Sequence, residues 1–190
     1  MAAVAPSSIM TTEEMLALPE DGIDRELIRG ELRERPMTKR NRWHSRSTIR
    51  LGYLLEEWLE RQPEPRGEVV GGEAGFRLRR DPDTTVGIDL AYVSAEVVAS
   101  TPEHAVFFEG PPILAVEILS PSDRHEDVSV KVRAYLDSGV ALIWLVDPDF
   151  RTVRVHRPGA PPELFNELQE LSGEPHLPGL RVPVARIFRI

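Results

Sequence analysis

Two acidic residues interrupt apolar segments of this sequence. Asp89 lies within residues 86–93, and Glu117 lies within residues 113–119. Both segments have the length and composition of buried strands. A buried carboxylate is costly unless it is paired, protonated or bound to a cation. On neighbouring strands, the two acids would form a pocket of hard oxygen ligands suited to Mg²⁺ or Mn²⁺. The alternative is that each acid lies at a strand end and pairs with an arginine.

Two further residues can complete this pocket. Lys131 is one of only two lysines in the chain, and a lysine supplies a compact charge with a tunable proton. Its spacing from Asp127 on a predicted helix also fits a surface ion pair between these two side chains. Glu26, in a predicted strand, either supplies a third carboxylate or is an exposed strand residue. The sequence pattern leaves both alternatives open.

The apolar pattern predicts the elements that position these residues. The predicted helices lie in residues 11–18, 40–61 and 127–138. Predicted strands are a pair within 25–34 that turns at Arg29–Gly30, and the segments 68–70, 75–78, 86–94, 113–119, 140–146 and 152–156. The tail from residue 158 is expected to form a hairpin or an edge extension. This order predicts a mixed α/β fold, with one central sheet flanked by helices. We expect a loose terminus at residues 1–10 and one domain over residues 11–190.

The charge is unevenly distributed. The 190 residues include 23 basic and 31 acidic ones, a net of −8, which argues against a generic basic nucleic-acid coat protein. Residues 25–50 nevertheless carry nine basic and three acidic residues, a net of +6, which leaves −14 for the rest. This segment either attracts a polyanion or is an ordinary solvated surface. The predicted nucleic-acid contacts are Arg40, Arg42, His44 and Arg46. A helix cap or a surface position is the more frequent alternative for His44.

The chain contains no cysteine. This excludes a disulfide scaffold, a cysteine nucleophile and a thiolate metal site, and it favours a reducing compartment, so we predict a cytoplasmic protein. The start of the chain lacks the basic and apolar regions of an export signal. The longest apolar run, residues 140–146, is far shorter than the ~20 residues of a membrane helix, so we predict no membrane association.

The motifs taken in order resemble the Uma-type family of bacterial proteins, inferred to be restriction endonucleases and long classed as a domain of unknown function. The family belongs to the PD-(D/E)XK nuclease superfamily. The resemblance extends from about Thr11 to the end of the chain. It is carried by DRELIRGEL at 24–32, IDLAYV at 88–93, AVEILSPS at 115–122, Lys131, Tyr135, Gly139–Val140 and IWLVDP at 143–148.

This resemblance implies a restriction-endonuclease-like core. It implies Asp89 and Glu117 as ligands for Mg²⁺ or Mn²⁺, with the backbone carbonyl of Ile118 as a further ligand. Glu26 would be the acid on the N-terminal side of the site. The superfamily signature has a lysine two residues after the glutamate, where this chain has leucine. The family moves the lysine to the following helix, which makes Lys131 the candidate.

The predicted function is a metal-dependent endonuclease that hydrolyses DNA, with Glu26, Asp89, Glu117 and Lys131 as catalytic residues. A homodimer is expected, so that two sites meet the two strands. One alternative is a nucleic-acid-binding or regulatory module on the same fold, with weak or no cleavage. Another is a structural domain with salt-bridged acids, in which an arginine guanidinium would lie between Asp89 and Glu117.

Overall fold

The protein, described here from a computed structural model over residues 9–37, 39–121 and 123–189, has one large mixed sheet with helices on both faces. The strands are β1 (Ile23–Ile28), β2 (Glu31–Pro36), β3 (Glu68–Arg79), β4 (Thr84–Val93), β5 (Phe108–Glu109), β6 (Leu114–Ile118), β7 (Leu142–Asp147), β8 (Thr152–His156), β9 (Glu163–Phe165), β10 (Glu170–Ser172) and β11 (Arg181–Pro183). The helices are α1 (Thr12–Leu16), α2 (Arg42–Leu59), α3 (Ala95–Ser100), α4 (His125–Asp137) and α5 (Val184–Phe188). The predicted fold class, a mixed sheet flanked by helices, is confirmed.

The strand order positions the central strands next to each other. The main path runs β2-β1-β4-β6-β7-β8-β9, and β3 pairs with β4 and β5. Strands β6 and β7 are parallel and α4 connects them, whereas β4 is antiparallel to β6. Because β4 and β6 are adjacent, residues at matching positions on these two strands lie side by side.

The sheet separates two hydrophobic clusters. Apolar residues of α2, including Leu51 and Leu55, pack on one face with Val116 of β6. On the other face, Tyr135 of α4 packs with Ala115 of β6. Because side chains alternate along a strand, this places odd-numbered residues of β6 on the α4 face. Helix α4 is therefore the element that can reach Glu117.

Turn geometry explains where the sequence prediction succeeds and where it differs. The hairpin within residues 25–34 is confirmed as β1 and β2, with Arg29 and Gly30 at positive φ values of 55° and 77°. The two short strands predicted in residues 68–78 are one long strand, β3. Its register shifts between Gly71 and Ala74, and this bulge breaks the alternation that sequence analysis depends on.

The ends of the chain differ in detail from the prediction. The tail forms both predicted arrangements, since β9 extends the sheet beside β8 while β10 and β11 form a separate pair. The capping box of Thr11 and Glu14 is present at α1. Most of the predicted loose terminus, residues 1–8, lies outside the described residues. Of this terminus only residues 9 and 10 are described, and there the Met10 N–H donates to the Gly30 carbonyl at 2.9 Å. Helix α3 was not predicted from the sequence pattern.

Candidate functional site

The two predicted metal ligands lie on one face of the sheet, where β4 and β6 end their pairing. Leu90 of β4 lies opposite Val116 of β6. One step further in the same antiparallel register, Asp89 is opposite Glu117. Asp89 is only 5% exposed, and the Glu117 side chain is 15% exposed. Sequence analysis predicted this convergence of acids, and the strand register produces it.

Asp89 is held as an ionised carboxylate. Its Oδ2 accepts a hydrogen bond from the Ile118 backbone N–H at 2.8 Å, and the His44 Nε2 lies 3.2 Å away. The Arg40 guanidinium is 3.9 Å from Oδ1. Burial acts to raise the pKa of Asp89, but the His44 and Ile118 hydrogen bonds and the Arg40 charge lower it below its usual value. The ionised form is the one that can bind a cation.

Lys131 reaches from α4 to three acceptors at the ends of these strands. Its Nζ lies 2.8 Å from the Gly87 carbonyl, 2.9 Å from Glu26 Oε1 and 3.2 Å from Glu117 Oε1. These contacts use all three N–H donors of the ammonium group. Burial acts to lower the pKa of Lys131, but the charges of Glu117 and Glu26 raise it above its usual value. Lys131 is therefore a fixed positive charge.

The alternative surface pair between Asp127 and Lys131 is wrong. Asp127 instead lies 3.8 Å from the Arg33 guanidinium, while the Lys131 side chain is only 11% exposed. Spacing by four residues allows a helical ion pair. Here the sheet supplies two closer carboxylates, Glu26 and Glu117, and these determine where the lysine points.

Glu26 is a buried member of the same cluster. Strand β1 lies between β2 and β4, and Lys131 of α4 lies against the Glu26 side chain. Glu26 is only 5% exposed, so the alternative of an exposed strand residue is wrong. Its Oε1 also accepts a hydrogen bond from the Gly87 N–H at 3.2 Å. Its Oε2 lies 3.4 Å from the Arg35 guanidinium. Glu26 therefore holds Lys131 in place from the N-terminal side of the site.

Tyr135 is a site residue that the sequence analysis did not assign. Its hydroxyl donates to Glu117 Oε1, the oxygen that Lys131 also contacts. The sequence could have indicated this role, because Tyr135 follows Lys131 by four residues and this spacing places both side chains on one face of α4. Lys131 and Tyr135 therefore both hold the Glu117 carboxylate through Oε1.

The local charge and donor set fit a divalent cation. Burial, followed by the neighbouring Asp89 and Glu26 carboxylates, raises the pKa of Glu117 to about 7, although Lys131 and Tyr135 act to lower it. The three carboxylates of the cluster therefore carry more negative charge than the Lys131 ammonium group neutralises. No group of three His, Cys, Asp or Glu side chains in the described ranges is arranged to hold a metal. Mg²⁺ commonly needs only one or two protein carboxylates, and Asp89 with Glu117 supplies two.

The raised pKa of Glu117 predicts a specific pH dependence of stability. The unfolded carboxyl has a pKa of 4.5 and the folded one about 7, so between these values only the folded state binds the proton. The stabilisation is complete below pH 4.5 and is lost as the pH rises through about 7.

In EDTA, wild type should lose about 3 kcal/mol of unfolding free energy over this window relative to Glu117→Gln. Urea denaturation at several pH values measures this difference. Glu103→Gln, on an exposed loop, is the control, and parallel wild-type and Glu117→Gln curves would contradict the prediction.

The predicted nucleic-acid residues lie in different environments. Arg40 is near Asp89 and also pairs with Glu73. Arg42 is exposed, with its guanidinium 5.1 Å from the centre of the Trp43 ring. Arg46 donates to the Arg189 backbone carbonyl at 2.9 Å, which directs it to the C-terminal end of the chain. Arg40 and Arg42 also lie near the N-terminal end of α2, but in the described ranges their side chains donate no hydrogen bond to a backbone carbonyl.

The prediction of a nucleic-acid contact for His44 is corrected by its burial. His44 is 3% exposed, so it has almost no surface for a phosphate. The helix-cap alternative is also wrong, because Asn41 caps α2 and accepts the His44 N–H at 2.9 Å. His44 instead contacts Asp89, and its Nδ1 is buried without a hydrogen-bond partner in the structure.

The predicted basic segment is largely neutralised by nearby acids. Its first four arginines each lie within ion-pair distance of a carboxylate: Arg25 with Asp21 and Glu34, Arg29 with Asp137, Arg33 with Glu31 and Asp127, and Arg35 with Asp24 and Glu26. The sequence count of +6 is therefore not a continuous positive face. A count along the chain cannot include acids that the fold brings from other segments.

The structural alternative with an arginine between the two central acids is not supported. In the described part of the chain, no arginine nitrogen lies within 4.0 Å of Glu117, and Lys131 occupies that position. Arg40 approaches Asp89 alone, at 3.9 Å. The arrangement of a lysine between two glutamates, beside an ionised aspartate, differs from a set of isolated salt bridges.

A mixed sheet flanked by helices, with acids and a lysine gathered where two strands diverge, defines a protein of the restriction-endonuclease-like class. The model of the family described as "Uma2: Putative restriction endonuclease" matches residues 12–185, so the chain belongs to this family. The family assignment predicted from the motifs is confirmed, and it supports a nuclease function.

The fold is shared with a solved protein from Anabaena variabilis ATCC 29413. That structure is described as a "putative nuclease belonging to DUF820", and it superposes with a TM-score of 0.77 at 24% identity. The match covers 94% of this chain and 97% of the other. At this identity the likeness shows the fold, and it confirms the predicted core. No curated protein gives a significant match. None of the helices in the described ranges is both long and apolar enough to cross a membrane.

Proposed function

We propose that this protein is a metal-dependent endonuclease that hydrolyses phosphodiester bonds of DNA. The observation that carries the proposal is the convergence of Glu26, Asp89, Glu117 and Lys131 in one largely buried cluster. These residues come from three strands and a helix. Removing four ionisable side chains from water has a desolvation cost that their pairing only partly offsets, and a function would explain why the chain keeps them. Perturbed pKa values in such a cluster are typical of functional sites.

In this proposal the metal site consists of Asp89, Glu117 and the backbone carbonyl of Ile118. A bound Mg²⁺ or Mn²⁺ would neutralise charge on the phosphate and lower the pKa of a bound water. Asp89 is oriented for this by the Ile118 N–H and by His44. Glu117 is oriented by Lys131 and Tyr135, which both contact its Oε1.

Lys131 acts in this proposal as a positive charge beside the reacting phosphate. Its raised pKa and three acceptors make it a poor proton acceptor. It therefore orients the attacking water or stabilises negative charge in the transition state, and the alternative of proton abstraction is disfavoured. Glu26 keeps the ammonium group in position, and Arg40 and Arg42 would contact the phosphate backbone without reading sequence.

The direct test is plasmid cleavage by the purified protein. Supercoiled plasmid should be nicked in Mg²⁺ or Mn²⁺, and excess EDTA should stop the reaction. A single-stranded RNA of matched sequence should be cleaved far more slowly than DNA. Equal nicking with and without EDTA would contradict metal dependence. Binding of plasmid without nicking in either metal would favour the alternative of a nucleic-acid-binding module.

His44 provides a test of the metal site that does not depend on cleavage. His44→Ala removes the side chain that contacts Asp89 within 3.2 Å. Since groups that orient metal ligands commonly contribute about 10- to 100-fold to metal affinity, we expect Mn²⁺ binding to weaken by at least about tenfold. Isothermal titration calorimetry measures the affinity. His176→Ala, on an exposed loop, should bind as wild type does, and unchanged affinity in His44→Ala would contradict the assigned role of His44.

We also propose that the protein acts as a homodimer in the cytoplasm. A single small site cleaves one strand at a time, so two copies would be needed to cut a duplex in one binding event. The absence of cysteine fits a reducing compartment. Light scattering of the protein with duplex DNA should give the mass of the duplex plus two chains of 21.4 kDa each. A complex containing one chain would contradict the dimer.

A further inference from the structure

A cavity of about 240 Å³ lies between α4 and β8, beside the acidic cluster. Apolar side chains, including Val132 and Leu145, contribute to its wall. Its ionisable lining is entirely basic and consists of His125, Arg133, Arg154 and His156. A concave apolar surface with a few convergent polar groups is typical of a ligand site, and this set of charges favours an anion.

The positive groups of this cavity are not neutralised within the protein. Most arginines in the described ranges pair with a carboxylate, and Arg157, next to the cavity strand, pairs with Glu163. Neither Arg133 nor Arg154 lies within 4.0 Å of any carboxylate in those ranges, and both are exposed. The chain has a net charge of −8, yet these two arginines face one cavity without a carboxylate partner in the described ranges.

The cavity also contains an unsatisfied buried polar atom. The Nε2 of His156 is buried and has no hydrogen-bond partner in the structure. Burial lowers the pKa of His156, and the Arg154 charge lowers it further. The Arg154 guanidinium therefore lies close to the ring, and a charge in this position favours an anion in the cavity.

The position of the cavity relates it to the acidic cluster. Glu117 of β6 lies opposite Leu145 of β7, and Leu145 lies opposite Arg154 of β8. Two strand spacings separate Glu117 from Arg154, a distance of about 10 Å. Phosphates along one strand of DNA advance ~3.4 Å along the helix axis per nucleotide. Because this axial advance is a lower bound on the separation of successive phosphates, a strand whose reacting phosphate lies at Glu117 has another phosphate at this distance within about three nucleotides.

We propose that the cavity between α4 and β8 binds a backbone phosphate of the nucleic acid strand that enters the acidic cluster. This inference rests on the proposed nuclease function and adds a second anchoring point for its substrate. Arg133 and Arg154 supply the charge and the hydrogen-bond donors, and His156 forms part of the wall. Such a contact positions the strand and carries no sequence information.

The test measures DNA binding in EDTA, where no cleavage is expected. A fluorescent single-stranded 12-mer is titrated by anisotropy with wild type and with the double variant R133Q/R154Q. The double variant should bind at least about tenfold more weakly, and its plot of log affinity against log salt should be less steep by ~0.7, the value for one lost phosphate contact on a single strand. R154Q alone should weaken binding less than the double variant does. R181Q, which removes an exposed arginine on β11, should match wild type.

A thymidine dinucleotide, with one phosphate, cannot span both sites and should bind equally to wild type and the double variant. Wild-type affinity and salt slope in a folded R133Q/R154Q would overturn the proposal, as would the absence of 12-mer binding to wild type. Binding of inorganic phosphate that is lost in the double variant, with unchanged 12-mer affinity, would identify a free-anion site and also overturn it. Plasmid nicking is measured separately, so failure of the cavity proposal and failure of the nuclease proposal give different results.

Discussion

Replacing Asp89 with asparagine is expected to lower metal-dependent DNA cleavage by at least about 1,000-fold. Asparagine has the size of aspartate, and its carbonyl oxygen can still accept the Ile118 N–H. The substitution removes the negative charge that would hold the metal. Stabilisation of transition-state charge by a metal is worth several kcal/mol, and each 1.4 kcal/mol corresponds to about tenfold in rate. Initial rates of plasmid nicking in Mn²⁺ measure the effect, and calorimetry should show weaker Mn²⁺ binding.

Asp83→Asn is the matched control for this substitution. Asp83 is a buried aspartate, 8% exposed, but it accepts hydrogen bonds from the backbone and hydroxyl of Thr12, away from the acidic cluster. Its replacement should lower thermal stability and leave the cleavage rate of the folded protein within about twofold of wild type. Cleavage by Asp89→Asn at the wild-type rate would refute the assignment of Asp89 as a metal ligand.

Replacing Lys131 with methionine is expected to lower cleavage by about 100- to 1,000-fold, the usual effect of removing one group that stabilises transition-state charge. Methionine keeps most of the apolar volume of the lysine side chain but removes the ammonium group. The variant should also be less stable by about 3 kcal/mol or more, because Glu26 and Glu117 lose their buried partner. Rates are compared by plasmid nicking at a temperature where circular dichroism shows both proteins folded.

Two further variants separate catalysis from stability. Lys39→Met changes the only other lysine, which is exposed near the start of α2, and it should cleave as wild type does. The double variant Glu26→Gln/Lys131→Met removes both charges of a buried pair, so it should regain part of the stability lost in Lys131→Met. It should not regain cleavage. Recovery of cleavage together with stability would show that Lys131 has only a structural role.

The central acids could be predicted from the sequence because each breaks a strong local pattern. Asp89 and Glu117 lie inside runs of apolar residues, and the cost of burying a lone carboxylate makes such interruptions informative. Lys131 was noticeable because lysine is so rare in this chain. Its partner could not be derived from spacing, since the spacing predicted Asp127 and the structure has Glu26 and Glu117.

Other site residues depend on contacts between distant segments. Glu26 is buried where Lys131 of α4 and Arg35 of β2 lie against its carboxylate, and a single strand of alternating residues does not reveal these neighbours. His44 appeared to belong to a basic surface, yet the packing of α2 on the sheet turns it to Asp89. The arginines of residues 25–35 show the same limit, because two of their acidic partners, Asp127 and Asp137, come from remote positions.

The sequence by itself determined the class of fold, the family motifs, the two central acids and the absence of any thiolate chemistry. These features are local, since they follow from residue type, periodicity and short-range turn propensity. The tertiary structure decided which charges meet: the Glu26–Lys131–Glu117 contacts, the burial of His44 and the unpaired arginines beside α4. The physical reason is that strand register and helix docking bring together residues far apart in the chain, and the charge of a surface depends on those contacts.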